Sequence, residues 1–266
     1  MFDSIAGDYD ALNHILSLDV DKIWRKKALK QIVDAPAPVQ VLDLACGTGD
    51  FSIAIAKALS RSHKRVGTPI EAHVKAPAKV PVEAQVTSTG FVTGDSGRSD
   101  LMTKGHVTGV DLSEGMLAVM REKVAKAGLT EMISIEEGDG ENLRFPDNTF
   151  DRVTLAFGIR NFENREKGLR EMLRVLKPGG RLVILELSRP ENKIIRWFYD
   201  LYFLHILPKI GGKVSGDKAA YAYLPASVAA FPGKKEFSAT MREAGFRAVT
   251  HKAFTLGICR MYTGEK

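Results

Sequence analysis

Three short segments of this chain carry residue types at spacings that could do chemistry. The run Val41-Leu-Asp-Leu-Ala-Cys-Gly-Thr-Gly-Asp50 is apolar and ends in a glycine turn. Glycines at Gly47 and Gly49 let backbone N–H groups come close to a bound ligand, because no side chain is in the way. Asp111 closes the next apolar run, Val107-Thr-Gly-Val-Asp111. As an ionised carboxylate it can accept charge-assisted hydrogen bonds from both hydroxyls of a ribose. Asp139-Gly140 ends a third run and suits an acceptor for an adenine amino group, with Gly140 permitting close approach. Each feature also has a plain reading: a tight turn, a carboxylate facing a helix N-terminus, or an ordinary loop.

The kind of nucleoside follows from what is missing. A dinucleotide fingerprint wants a third glycine at position 52, which is Ser52, and a P-loop wants Gly-Lys-Ser/Thr, which is absent. S-adenosylmethionine, which has no phosphate, fits best. The turn would wrap its amino-acid and sulfonium end while Asp111 holds the ribose. A further segment, Phe157-Gly-Ile-Arg-Asn161, follows a fourth apolar run. Loops in that position border the reaction centre of doubly wound sheets. Arg160 there can stabilise a substrate oxyanion or form a local salt bridge; it stays protonated, so its role is electrostatic. Cys46 reads as a small buried residue, since methyl transfer from a sulfonium needs no thiol. The six histidines show no metal spacing.

The elements that must position these residues alternate. A helix over 1–35 carries Trp24, Ala28, Leu29 and Ile32 at helical spacing and ends at Pro36 and Pro38. A strand over 40–45 leads through the glycine turn into a helix from Phe51 to Leu59. Val107 to Asp111 is the second strand, and Ser113 caps a helix bearing Met116, Leu117, Met120 and Val124 that stops at Gly128. Strands follow over Ile133–Glu137 and Phe150–Phe157, then a helix over Glu166–Leu176, a turn at Pro178-Gly179-Gly180 and a strand over Arg181–Glu186. A helix near 234–244 and strands at 247–254 and 257–263 close the chain. This is an α/β doubly wound, mostly parallel sheet with a C-terminal antiparallel hairpin. Residues 60–105, rich in Ser, Thr, Gly and Pro, read as a surface insertion, with Lys79 to Val86 as a short hairpin.

At 266 residues and 44% apolar content, the chain fits one domain with a real core. No apolar run is long enough to span a membrane, no signal peptide is visible, and two cysteines make neither a disulfide framework nor a metal quartet. A cytoplasmic protein is expected. The net charge of +6 is dispersed. It permits contact with an anionic membrane surface, but nothing here resembles a nucleic-acid-binding motif. The apolar-basic stretch from Ile194 to Lys213, with Trp197, Phe198, Tyr199, Tyr202 and Phe203, suits a greasy acceptor pocket, a bilayer contact or plain helix packing.

Four stretches carry a family likeness: Tyr9-Asp-Ala-Leu-Asn13-His-Ile-Leu-Ser17 through Trp24, Asp147-Asn-Thr-Phe-Asp151, Phe157-Gly-Ile-Arg-Asn161, and Arg174-Val-Leu-Lys-Pro178-Gly-Gly180-Arg-Leu-Val-Ile-Leu-Glu186-Leu-Ser188. On these the chain resembles the C-methyltransferases of menaquinone and ubiquinone biosynthesis, a family of class I S-adenosylmethionine-dependent methyltransferases. The resemblance implies a seven-stranded sheet, a single methyltransferase domain over 1–266 and C-methylation of a polyprenylated demethylmenaquinol, with the ubiquinone precursor also open. It implies cofactor contacts at Thr48, Asp111, Asp139 and Gly140. For such a substrate, Arg160 is expected to support the phenolate, directly or through a water, with Tyr9 nearby closing the site. The family often has Ser where this chain has Ala156, Met at Leu12 and His at Asp21; the last two changes are expected not to touch the chemistry. The polyprenyl tail implies transient contact with the inner face of the membrane through the N-terminal helix and 194–213. A homo-oligomer is left open. The competing readings are a methyltransferase for another phenolic or lipid acceptor, such as a sterol, and a non-catalytic cofactor-binding module.

Overall fold

A computed structural model describes residues 19–34, 39–66, 105–202 and 218–266. Among these, seven strands form one sheet: β1 (Gln40–Leu44), β2 (His106–Asp111), β3 (Ile133–Glu137), β4 (Phe150–Ala156), β5 (Leu176–Leu187), β6 (Arg247–Phe254) and β7 (Cys259–Glu265). Their order is β3-β2-β1-β4-β5-β7-β6. The first five strands pair in parallel, while β7 runs antiparallel to both β5 and β6. The expected doubly wound sheet with its closing hairpin is therefore present. The strand order reverses between β1 and β4, and a crevice opens there at the carboxyl ends of the two strands.

The helices are α1 (Val20–Ile32), α2 (Asp50–Val66), α3 (Glu114–Lys126), α4 (Arg165–Val175), α5 (Lys193–Leu201), α6 (Lys218–Ala230) and α7 (Lys234–Glu243). Side chains alternate across the strands, as period-two geometry requires. Val183 and Leu185 of β5 join Trp24, Ile55, Leu117 and Met120 of α1, α2 and α3 in one core. Leu182 and Ile184 join Leu169, Met172, Phe237 and Met241 of α4 and α7 in the other. Because both faces are covered, the central strands are apolar almost throughout. Asp43 has the parity of Val41, so its carboxylate lies on the α2 side, where Ser52 Oγ donates to it at 2.5 Å.

Local signals placed several element ends well. Ser113 Oγ accepts from Met116 N at 3.2 Å and caps α3, and Gly128, at φ 64°, follows its C-cap. Other boundaries need correction. Helix α2 runs to Val66, beyond Leu59, so it enters the interval read as an insertion. Residues 67–104, with the proposed hairpin from Lys79 to Val86, lie outside the described residues, as do residues 1–18 of the N-terminal segment. Helix α4 stops at Val175, and Leu176 already pairs with Phe150. The expected turn at Pro178-Gly179-Gly180 is an irregularity within β5, where the register jumps to Arg152 opposite Arg181. Helix α6 has no counterpart in the sequence reading. It holds Pro225 internally and its apolar residues form no clear stripe.

Candidate active site

Two cavities occupy the crevice at the ends of β1 and β4. The larger, of about 470 Å³, takes polar walls from α1, the end of β1 and the start of α2: Asp21, Arg25, Asp43, Thr48 and Asp50. Its apolar walls come from α5, α6 and the β6–β7 turn, including Ile195, Phe198, Leu224 and Leu256. The smaller, of about 340 Å³, is bounded by Asp111, Leu112, Met116, Asp139 and Gly140. The two share Ala45, Gly47, Ala156 and Phe157. A ligand lying over these four residues would have one end in each cavity.

The shared wall is backbone in left-handed conformations. Ala45 has φ 49°, Gly47 φ 56° and Phe157 φ 64°. Outside glycine such conformations cost about 1–3 kcal/mol each and persist only where the surroundings enforce them. Here Cys46 N donates to Val110 O at 3.1 Å, and Phe157 N donates to Leu185 O at 2.8 Å. Asp111 completes the loop. Its Oδ2 accepts from Gly47 N at 2.8 Å and its Oδ1 from Ser113 N at 2.9 Å. A carboxylate can accept several donors, so a ribose hydroxyl is within the chemistry of this side chain.

The structure separates the two glycines expected to face a cofactor. A Cβ on Gly47 would meet nothing within 4 Å, and Gly47 lines both cavities. Gly49 is in neither lining; a Cβ there would come within 2.4 Å of Met120 Cγ. At φ 83°, Gly49 lets α2 start against α3 and touches neither cavity. Thr48 is buried in the larger cavity's wall and accepts from Lys123 Nζ at 3.3 Å. Asp139 and Gly140 border the smaller cavity. Asp139 Oδ1 accepts from Glu141 N at 2.8 Å, and a Cβ on Gly140 would be 2.6 Å from Phe162 Cζ.

Arg160 lines the larger cavity, but most of its donors are spent internally. Nη1 binds Glu186 Oε1 at 2.9 Å and also the Phe157 carbonyl, and Nε donates to Ser227 Oγ at 3.3 Å. Among the described residues Nη2 makes no hydrogen bond. Glu186 is fully buried and also accepts from Arg160 N at 3.1 Å and Leu187 N at 2.8 Å. The local salt bridge and a position on the cavity wall therefore hold together for this arginine. Tyr9 lies outside the described residues.

Sequence reasoning missed three polar residues on this wall. Asp21 was expected to be irrelevant, yet it lines the larger cavity, is 4% exposed and pairs with Arg25 at 3.3 Å. Arg25 also pairs with Asp50 at 3.2 Å, which ties α1 to the start of α2. Asp43 had a visible signal, a carboxylate inside a strand buried on both faces. Burial pushes its carboxyl up from the ordinary 3.8 to about 7, against the opposing effects of Ser52 and Arg25. Because the folded value is raised, the native state holds this proton more tightly than the unfolded chain. Its stabilising share is full below about pH 4 and lost as the pH rises through 7. Melting curves should show Asp43→Asn gaining on the wild type as pH climbs through that window; parallel curves would place the carboxyl's titration elsewhere.

The strand order and the crevice at the ends of β1 and β4 are those of the class I methyltransferase fold. An S-adenosylmethionine-dependent methyltransferase from Aquifex aeolicus shares it at a TM-score of 0.52, with 20% identity over 90% of this chain and 88% of that one. The chain belongs to the ubiE/COQ5 methyltransferase family, whose model matches residues 1–266. It is 42% identical to a protein of Geobacter sulfurreducens named ubiquinone/menaquinone biosynthesis C-methyltransferase UbiE, over 100% of this chain and 87% of the relative. It is 39% identical to a demethylmenaquinone methyltransferase of Bacteroides fragilis, over 100% and 91%. This chain is a methyltransferase, and S-adenosylmethionine is its expected methyl donor.

Proposed function

We propose that the protein transfers a methyl group from S-adenosylmethionine to a ring carbon of a polyprenylated demethylmenaquinol. The observation that carries this reading is the junction of the two cavities. The nucleoside end would lie against Asp111, Asp139 and Gly140, and the amino-acid end against Thr48 and Asp43. The reacting centre would fall near Gly47, Ala156 and Phe157, where an apolar chamber of suitable size for an aromatic ring begins. The relatives' names supply the acceptor class.

Bound there, S-adenosylmethionine supplies a methyl group on a sulfonium. The chain's residues do the rest. A quinol carbon becomes nucleophilic when the neighbouring hydroxyl ionises, and Arg160 would stabilise that oxyanion through Nη2, directly or through a water. Tyr9 is assigned to close the site. The wall formed by Phe157, Leu187, Phe198 and Leu224 excludes water and holds the ring in line. The experiment is a transfer assay with S-adenosylmethionine and a demethylmenaquinol, read by a mass gain of one methylene. Absence of product, with turnover on a sterol or a simple phenol instead, would replace this acceptor.

We also assign a membrane contact to α5. No helix among the described residues is long and apolar enough to cross a membrane. Ile194, Trp197, Phe198 and Leu201 follow the 3-4-7 spacing of one helix face, and all are exposed, Trp197 at 61% and Phe198 at 60%. Phe198 also lines the cavity, so this face is continuous with the chamber that would hold the ring. Trp and Phe beside the exposed Lys193 suit a headgroup interface. The protein should float with anionic liposomes at low salt, and the double change Trp197→Asp, Phe198→Asp should leave it in the dense fraction. Wild-type protein that does not float removes the membrane from this account.

A further inference from the structure

The wall shared by α1 and the glycine turn contains a cation whose donors the fold does not use. Arg25 projects from α1 into the lining of the larger cavity, beside Asp43, Gly47 and Thr48. Its side chain is 16% exposed. Its closest approach to both Asp21 and Asp50 is through Nη1, at 3.3 and 3.2 Å. Nε is buried and has no acceptor among the described residues. A buried donor left without a partner is rare in a folded protein and asks for a ligand or a water.

We propose that Arg25 receives the α-carboxylate of the methyl donor; this rests on the reading that the donor is S-adenosylmethionine. A guanidinium offers N–H groups in a planar fork that matches a carboxylate, and Arg25 keeps such donors unspent. Nη1 donates to Asp50 at 3.2 Å and Asp21 lies 3.3 Å from the same nitrogen, and these two carboxylates hold the guanidinium at the wall. Lys123 binds Asp50 from the other side, and so offsets that carboxylate's hold on Arg25. The Phe157 ring lies 5.7 Å from the guanidinium carbon, close enough for a cation–π contact that further fixes it. Asp43, on the same wall, offers carboxyl oxygens that can accept from the donor's ammonium group. The wall thus offers a cation to the carboxylate and a hydrogen-bond acceptor to the ammonium of a zwitterion. Asp21, beside it on the wall, becomes a positioning residue.

Two ligands separate this role from a structural one. S-adenosylhomocysteine keeps the amino acid, and 5′-methylthioadenosine lacks it. Calorimetry on the full chain should show Arg25→Met weakening S-adenosylhomocysteine by about 10–100-fold, the range of a charged hydrogen bond. Binding of 5′-methylthioadenosine should change less than about threefold, which also reports that the pocket is folded. Arg25→Lys, which keeps the charge and loses the fork, should fall between. Equal losses for both ligands, or no loss for either, would overturn the assignment. A wild-type protein that binds neither ligand would instead overturn the donor itself.

Discussion

Replacing Glu186 with Ala should remove about 3–5 kcal/mol of folding free energy, because it strands a buried guanidinium. Arg160 is 6% exposed at its side chain and Glu186 is not exposed at all. The same carboxylate accepts from the amides of Arg160 and Leu187, so its loss leaves three donors short of partners. Urea unfolding of Glu186→Ala against the wild type measures this directly. Glu186→Gln, which keeps an oxygen for one of the two amides, should lose less. The reverse change tests chemistry. Arg160→Ala leaves Glu186 with two amide donors and removes the cation from the chamber. It should cut turnover by about 10²–10³-fold, the usual effect of deleting one oxyanion donor. Donor affinity on the same sample should stay within about threefold. If methyl transfer to a demethylquinol acceptor proceeds at the wild-type rate, Arg160 serves only to pair Glu186.

Asp111→Ala should weaken S-adenosylhomocysteine binding by at least about 10²-fold, since each charge-assisted bond contributes on the order of 1.5–3 kcal/mol. The loss has two sources. The ribose would lose its acceptor, and Gly47 N and Ser113 N would lose theirs. Without the first of these bonds, the loop between β1 and α2 has less to hold Ala45 and Gly47 in left-handed conformations. Asp111→Asn should be milder, because the carboxamide oxygen can still accept one amide while its NH₂ opposes the other. Calorimetry decides between them. Wild-type affinity in the alanine variant would show that the acid shapes nothing a ligand needs.

Several features of this site were legible in the residues themselves. The apolar runs, the Ser113 cap, Gly128 after α3 and the glycine turn depend on neighbours a few positions away, and such signals survive folding intact. Errors appeared where a local cue met a tertiary competitor. Pro178-Gly179-Gly180 reads as a turn, yet pairing with β4 draws it into β5 as an irregular edge. At Gly49 the turn glycine has a second constraint that local sequence does not show, since Met120, 71 positions later, fills the space beside it. Asp21 is expected not to touch the chemistry, and the packing of α1 puts it on the cavity wall.

The order of residues alone was sufficient for the sheet type, the donor class and the acid at the end of β2, because periodicity and turn chemistry are short-range. Which charges face each other required the folded chain. Trp24 donates to Thr255 across 231 positions, and Glu186 meets Arg160 across 26. No spacing rule encodes such pairs, since they depend on how the helices settle on the twisted sheet and on which donors burial then leaves without water.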